Sequence, residues 1–244
     1  MTRTNYTIAL MGNPNTGKST LFNVLTGLRQ HTGNWPGKTV IRAEGEFAHR
    51  GATYRIVDLP GTYSLYSNSA DEEVARDFLL FERPDLTIVV VDATALERNL
   101  NLALQVLEIT GRVIVAVNLM DEAKKKGILI NSKKLENKLG VPVVPISARN
   151  KEGIDKLMNT VDAMVRGRIK TNPLSIQYSP EIEQAISKLM PNIRETVGDA
   201  YPARWIALRL LDGDTSLLAA LKQPPQRDTK EEGAYACCGS VESI

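Results

Sequence analysis

The amino-acid sequence predicts an α/β fold, a mostly parallel six-stranded sheet covered by helices, followed by a small C-terminal all-α unit. Three observations carry this. Short apolar, β-branched runs alternate with segments whose apolar residues recur at helical spacing. A glycine-rich loop, Gly12-Asn13-Pro14-Asn15-Thr16-Gly17-Lys18-Ser19, joins the first strand to the first helix. Beyond about residue 167 only helical patterns recur.

Residues 6–11 form an apolar run ending in Gly12 and read as a buried strand. Residues 18–25 follow at helical spacing, with Gly27 placed to cap them. Residues 28–39 are polar and contain Gly33, Pro36 and Gly37, so they read as a loop. Residues 40–49 and 52–58 read as two strands around Arg50-Gly51, a hairpin that adds one antiparallel strand. Residues 59–70 form a second loop, and 71–81 a helix with acids in its first turn. Strand 86–92, helix 96–110 closed by Gly111, and strand 113–118 follow. Residues 132–139 make a short helix capped by Asn131 and stopped by Gly140. Strand 143–147 and helix 154–166 complete this part, whose alternation demands parallel crossovers.

The composition changes across residues 167–173. Ser179-Pro180-Glu181 is a helix start, with a capping Ser, Pro in the first helical position and an acid behind it. Residues 180–189, 202–211 and 214–221 have helical apolar spacing. The expected division is an α/β domain over 1–168, a helical domain over 172–221, and a polar, aperiodic tail over 222–244 that reads as disordered.

The 244 residues carry 30 Lys+Arg against 28 Asp+Glu, a formal charge of +2 that argues against a nucleic-acid-coating protein. An apolar fraction of 43% with 24% charged residues is that of a globular chain. The two cysteines, Cys237 and Cys238, exclude a disulfide framework and a structural zinc site. No run approaches the roughly 18 apolar residues of a membrane span, and residues 1–5 lack the core of a signal peptide. The expected location is cytoplasmic. His31 and His49 are too few and too separated for an iron site.

Residues 12–19 fit G-x-x-x-x-G-K-[ST] between a strand and a helix. Such glycines let backbone N–H groups close around phosphate oxygens, and the helix N-terminus adds its positive end. Lys18 supplies a cation for β- and γ-phosphates, and the Ser19 hydroxyl can ligate Mg²⁺. Asp58-Leu59-Pro60-Gly61 ends a strand, where the acid can hold Mg²⁺ and the Gly61 N–H can sense a γ-phosphate. Asn118-Leu119-Met120-Asp121 ends another. A carboxylate there accepts from the N1–H and exocyclic amine of guanine, a donor pair that adenine lacks. Ser147-Ala148 ends a third strand, where backbone N–H groups can meet the guanine O6. Each short motif also reads as ordinary turn chemistry. Their order, and their shared place at strand C-termini, is what sets them apart.

With those motifs, residues 6–168 resemble the Ras-like, translation-factor-class GTPases of the P-loop NTPase fold. The resemblance implies GTP/GDP as ligand and Mg²⁺ as cofactor. It implies a nucleotide-binding set of Gly12, Asn13, Asn15, Thr16, Gly17, Lys18, Ser19, Thr20, Asn118, Asp121, Ser147 and Ala148. It makes Thr39 the switch threonine that reaches Mg²⁺ with Ser19 and Asp58; by residue type Thr39 reads equally as the opening of the next strand. Catalysis would rest on Lys18, Asn15, Thr39 and Gly61. Leu119 stands where the guanine motif usually carries Lys, which implies weaker binding and faster GDP release. Thr62 stands where many relatives carry a water-orienting Gln, and no arginine finger is evident; Arg29 and Arg42 read equally as solvated.

Asn15 resembles the phosphate-loop Asn of potassium-activated GTPases, which implies K⁺ held by its side-chain oxygen and by backbone carbonyls near Gly33 and Trp35. By residue type it reads equally as a turn former beside Pro14. The segment His31-Thr32-Gly33-Asn34-Trp35-Pro36-Gly37-Lys38-Thr39 closely resembles the first switch of the bacterial ferrous iron transport protein B family. Asn118-Leu119-Met120-Asp121, Lys124-Lys125-Lys126-Gly127-Ile128, Leu139-Gly140-Val141-Pro142-Val143 and the run from Tyr201 to Leu211 match the same pattern, so the resemblance covers residues 4–221. It implies a helical domain like a guanine-nucleotide-dissociation inhibitor, and a membrane permease domain and small accessory proteins as partners. It places the parent transporter at the cytoplasmic face of the inner membrane. Lys38 departs from that family's apolar residue, and 222–244 resemble nothing in it. The expectation is a soluble N-terminal fragment, or a chain truncated or frameshifted near Lys222.

The function expected is slow, K⁺-stimulated GTP hydrolysis that regulates Fe(II) uptake, with no nucleic-acid partner. Two alternatives stay open: an RNA- or ribosome-associated GTPase of the same class, and a nucleotide-binding switch with negligible turnover. A homo-oligomer also stays open.

Overall fold

The computed structural model describes residues 4–27, 30–35, 38–66 and 69–222. Strand β1 (Asn5–Gly12) is the spine of the sheet, with β4 (Ala52–Asp58) and β5 (Leu86–Asp92) parallel to it on either side. Strands β6 (Val113–Asn118) and β7 (Val143–Pro145) continue in parallel beyond β5. Strands β3 (Ile41–His49) and β2 (Gln30–Asn34) add two antiparallel strands beyond β4. The order is β2-β3-β4-β1-β5-β6-β7.

Both faces of the sheet are covered, as continuous apolar strands require. Ile8, Leu10, Ile56, Ile88 and Val90 face one core, closed by Leu21 and Phe22 of α1 (Lys18–Thr26) and Leu157 and Val161 of α6 (Ile154–Val165). Ala9, Met11, Val57, Val89 and Val91 face the other. That face is closed by Ala75 of α2 (Ala70–Asp77), Leu102 and Val106 of α3 (Leu96–Ile109) and, past α4 (Met120–Lys125), Leu139 of α5 (Ser132–Leu139).

The seventh strand corrects the expected six. It lies within the stretch read as a loop. Residues 31–34 are exposed and polar, so no apolar alternation marks them. Pairing with β3, from Gln30↔Gly45 to Asn34↔Ile41, makes them a strand. Helix α4 was not expected either, and β7 stops at Pro145 rather than at residue 147.

The remaining helices are α7 (Pro180–Val197), α8 (Ala203–Leu211) and α9 (Thr215–Lys222). Helix α7 runs past residue 189 and through Pro191, because Ile193 and Val197 still pack into the helical core. That core also takes in Leu80 and Phe81 from a π-helical turn, Phe78–Glu82, that follows α2. The helical part is therefore completed by residues of the α/β part, rather than simply appended. Among the described residues no helix is long and apolar enough to cross a membrane. Residues 223–244, nearly all of the expected disordered tail, lie outside the described residues.

Arg204 of α8 forks onto Glu183 of α7 at 2.6 and 2.7 Å and donates to the Ile176 carbonyl at 2.8 Å. Those guanidinium hydrogen bonds hold the Glu183 carboxyl down at about 2. A depressed carboxyl stabilises the fold above its unfolded pKa, about 4.3 for Glu, and loses that contribution as pH falls through the folded value. Glu183→Gln is expected to lower the melting temperature at neutral pH. The difference from the parent chain should shrink below about pH 4 and vanish near pH 2. Thermal melts across that range check this; a pH-independent difference would point to packing instead.

Candidate functional site

The ends of β1, β4 and β6 bring the glycine-rich loop, the Asp58 loop and the Asn118 loop to one edge of the sheet. The first loop closes tightly, with Asn15 at φ 65° and Gly17 at φ 79°. A Cβ on Gly12 would lie 2.6 Å from the Val90 carbonyl oxygen, and one on Gly17 would collide with the Asn118 amide. The Thr16 hydroxyl donates to the Asn13 carbonyl at 2.9 Å, tying the loop across itself. Helix α1 starts at Lys18 with no side-chain cap, so its first N–H groups are left for a ligand.

Lys18 and Asp58 form a largely buried ion pair. Burial pushes the Asp58 carboxyl above its usual range, and the Lys18 cation pulls it back. Ser19 and Thr20 stand exposed on the first turn of α1. Gly61 packs against Pro14, where a Cβ would sit 3.4 Å from the Pro14 backbone. The Thr62 N–H donates to the Gly12 carbonyl at 3.3 Å. The Thr62 hydroxyl and the Asn13 amide are buried without a partner among the described residues, polar groups that a ligand-driven rearrangement would satisfy.

Asn118 is 1% exposed and joins three loops. Its Nδ2 donates to the Thr16 carbonyl at 2.9 Å, and its Oδ1 accepts from the Ala148 N–H at 2.9 Å. Leu119 takes a left-handed φ of 60° and turns the chain into α4, which begins beside Asp121. Asp121 Oδ1 accepts from the Ser147 hydroxyl at 2.9 Å. That bond is the main reason its carboxyl lies below the usual range. The Ser147 N–H donates to the Glu152 carbonyl at 3.0 Å. Both N–H groups offered by the sequence to a base oxygen are thus engaged within the protein.

The first switch is bound to the sheet and to α2. Gly33 pairs with Arg42 in the β2–β3 ladder. Trp35 meets Phe78 edge-on at 5.6 Å, and the Arg42 guanidinium lies 4.8 Å over its ring. Arg42 also pairs with Glu44, so it is a packed residue and not the solvated one its sequence context allowed. Lys38 donates to Glu73 at 2.8 Å and lies 4.0 Å from Asp77. Thr39 and Asn15 are exposed and make no side-chain hydrogen bond among the described residues. Arg29, Pro36 and Gly37 lie outside the described residues. The structure thus gathers Lys18, Asp58, Asn118, Asp121, Ser147 and Ala148, and leaves the first switch turned away as a strand.

Sequence reasoning missed Arg76, which is 1% exposed on α2. It donates to the Ser216 hydroxyl at 2.8 Å, pairs with Asp77 at 2.7 Å and lies 3.7 Å from Asp214. Its only local trace is a cation between Val74-Ala75 and the apolar run 78–81, next to Asp77. It fastens α2, which follows the Asp58 loop, to the start of α9.

A phosphate loop after the first strand, held from a later strand by a buried Asn, defines the class: a P-loop, Ras-like G domain, here followed by a helical domain. Family models agree with both parts. One described as "Ferrous iron transport protein B" matches residues 6–161, and one described as "FeoB cytosolic helical domain" matches 178–236. The chain belongs to the ferrous iron transport protein B family. It is 48% identical over 210 residues to a Methanocaldococcus jannaschii protein described as Fe(2+) transporter FeoB, covering 86% of this chain and 31% of that one. It is 41% identical over 223 residues to a Porphyromonas gingivalis Fe(2+) transport protein A/Fe(2+) transporter FeoB fusion protein, covering 90% of this chain and 26% of that one. The chain therefore spans about a third or less of the length of these relatives. The cytosolic domain of T. maritima FeoB in apo form superposes with a TM-score of 0.82 at 38% identity, covering 93% of this chain and 90% of that one. The same domain in a GDP form gives 0.81 at 38% identity, covering 93% and 88%.

Proposed function

We propose that this chain binds guanine nucleotides and hydrolyses GTP to GDP and phosphate, as the cytoplasmic regulatory part of a ferrous iron transporter. The observation that carries the reading is the Asn118 network, which holds Asp121 at the same sheet edge as the phosphate loop. The GDP form of the T. maritima domain supports the same ligand. Residues 1–168 would be the G domain and 172–221 the helical domain.

On nucleotide binding Lys18 exchanges Asp58 for phosphate oxygens. Asp58 and Ser19 offer the hard oxygen donors that Mg²⁺ takes, and Mg²⁺ bound there would neutralise phosphate charge. The Gly61 N–H senses the γ-phosphate. Thr39 reaches it after the Asn34–Ile41 end of the β2–β3 ladder opens. Positioning and electrostatics, with no covalent step, carry the rate. Loss of the γ-phosphate lets the first switch return to β2. The helical domain, fastened through Arg76, reads that change and passes it to the permease.

The exposed Asn15 amide, with carbonyls of Gly33 and Trp35 once the switch leaves the sheet, has the oxygen chemistry that suits K⁺. Phosphate release from GTP with Mg²⁺ in KCl, against NaCl at equal ionic strength, tests this. Stimulation of about tenfold or more, lost in Asn15→Ala, is the expected result. Equal slow rates in both salts would remove Asn15 from the reaction. No phosphate release in either would leave a binding switch.

A further inference from the structure

Leu129, in the turn between α4 and α5, is 96% exposed, the highest value among the large apolar residues described. Ile128 beside it is 36% exposed. The turn is braced. The Gly127 and Ile128 N–H groups donate to the Lys124 and Ala123 carbonyls at 3.1 and 2.9 Å. Ile130 packs on the core, and Asn131 caps α5 through the Lys134 N–H at 2.8 Å. Leu129 is therefore held out in water by a rigid support.

Six lysines flank it. Lys125 pairs with Glu122 at 3.2 Å and Lys133 with Glu136 at 2.7 Å. Lys124, Lys126, Lys134 and Lys138 are exposed and make no ion pair among the described residues. With Asp121, Glu122 and Glu136 as the only acids, residues 120–140 carry +3, more than the +2 of the whole chain. An apolar side chain in water is unfavourable, and the lysines that flank it in sequence carry charge that the acids of the segment do not balance. One environment relieves both: a surface anionic on its outside and apolar just beneath.

We propose that this turn docks on an anionic lipid bilayer, with Leu129 entering the boundary between headgroups and acyl chains and the free lysines meeting lipid phosphates. Nucleic acid would answer the lysines alone. Residues 120–140 contain no aromatic and no arginine to stack on a base, and Leu129 would gain nothing. The inference stands apart from the nucleotide chemistry.

Sedimentation of the full chain with vesicles tests it. One set is phosphatidylcholine alone, the other phosphatidylcholine mixed with phosphatidylglycerol. Binding is expected to the mixed vesicles only, and to weaken with added salt. Each basic residue near an anionic surface contributes about fivefold, so Lys124→Gln with Lys126→Gln should weaken binding roughly 25-fold. Leu129→Ser should weaken it roughly tenfold. Both variants should keep the parent melting temperature, because none of the three side chains is buried. Glycerol phosphate should not release the chain. Equal binding to both vesicle sets, release by glycerol phosphate, or indifference to Leu129→Ser would each overturn the proposal. So would binding to a homopolymeric RNA with no binding to vesicles, which would assign the lysines to nucleic acid.

Discussion

Replacing Asp121 with asparagine is expected to lower affinity for GDP by about 10² to 10⁴-fold while allowing xanthosine diphosphate to bind. A carboxylate accepts from both the N1–H and the exocyclic amine of guanine, two charge-assisted hydrogen bonds of about 1.5–3 kcal/mol each. An amide turns one of those acceptors into a donor aimed at the amine. Xanthine carries a carbonyl at that place and accepts from the same donor. The lower end of the range is the better expectation, because Asp121 is only partly buried and water weakens its bonds. The Ser147 hydroxyl, which now donates to Asp121 Oδ1, can donate equally to an amide oxygen, so the side chain should keep its place. Titrations with fluorescent guanosine and xanthosine diphosphates decide the matter. An unchanged preference would remove Asp121 from base recognition.

Replacing Lys18 with methionine is expected to slow phosphate release from bound GTP by about 10³-fold or more, the scale on which a preorganised charge facing the transferring phosphoryl group acts. Methionine keeps the stem and removes the cation. A second effect follows at Asp58. Burial already pushes its carboxyl up, and among the described residues Lys18 is the cation that opposes that shift. Without Lys18 the carboxyl rises further and takes a proton rather than remaining an unpaired buried charge. Protons should then compete with Mg²⁺, and the Mg²⁺ requirement should become steeper as pH falls. Single-turnover phosphate release at several Mg²⁺ concentrations and two pH values reads both effects. Turnover within tenfold of the parent chain would show that Lys18 does not act on the phosphates.

The parts of this protein legible in its sequence are those set by neighbours along the chain. Gly17 is fixed by its left-handed φ of 79° and the Lys18 beside it by the same eight-residue loop. Asn131 and Gly140 mark the ends of α5 because a side-chain oxygen caps one end and a positive φ closes the other. The apolar runs of β1, β5 and β6 announce a buried parallel sheet. The loops at 12–19, 58–61, 118–121 and 147–148 each follow a strand in the sequence, which places them together at one end of a parallel sheet.

The tertiary structure decided the rest. Residues 30–34 are polar, 31–34 of them exposed, and they are a strand only because β3 offers them an open edge. Lys38 and Glu73 meet across 35 residues and hold the first switch on α2. Arg76 and Ser216 meet across 140 residues and fasten α2 to the helical domain. Leu80 and Phe81, at the end of a G-domain helix by sequence, belong to the helical core. The physical reason is common to all four. Caps, turns and periodicity act within a few residues and leave a local mark. An edge pairing, an ion pair or a shared core forms between distant segments, and its energy exists only once the fold has brought them together.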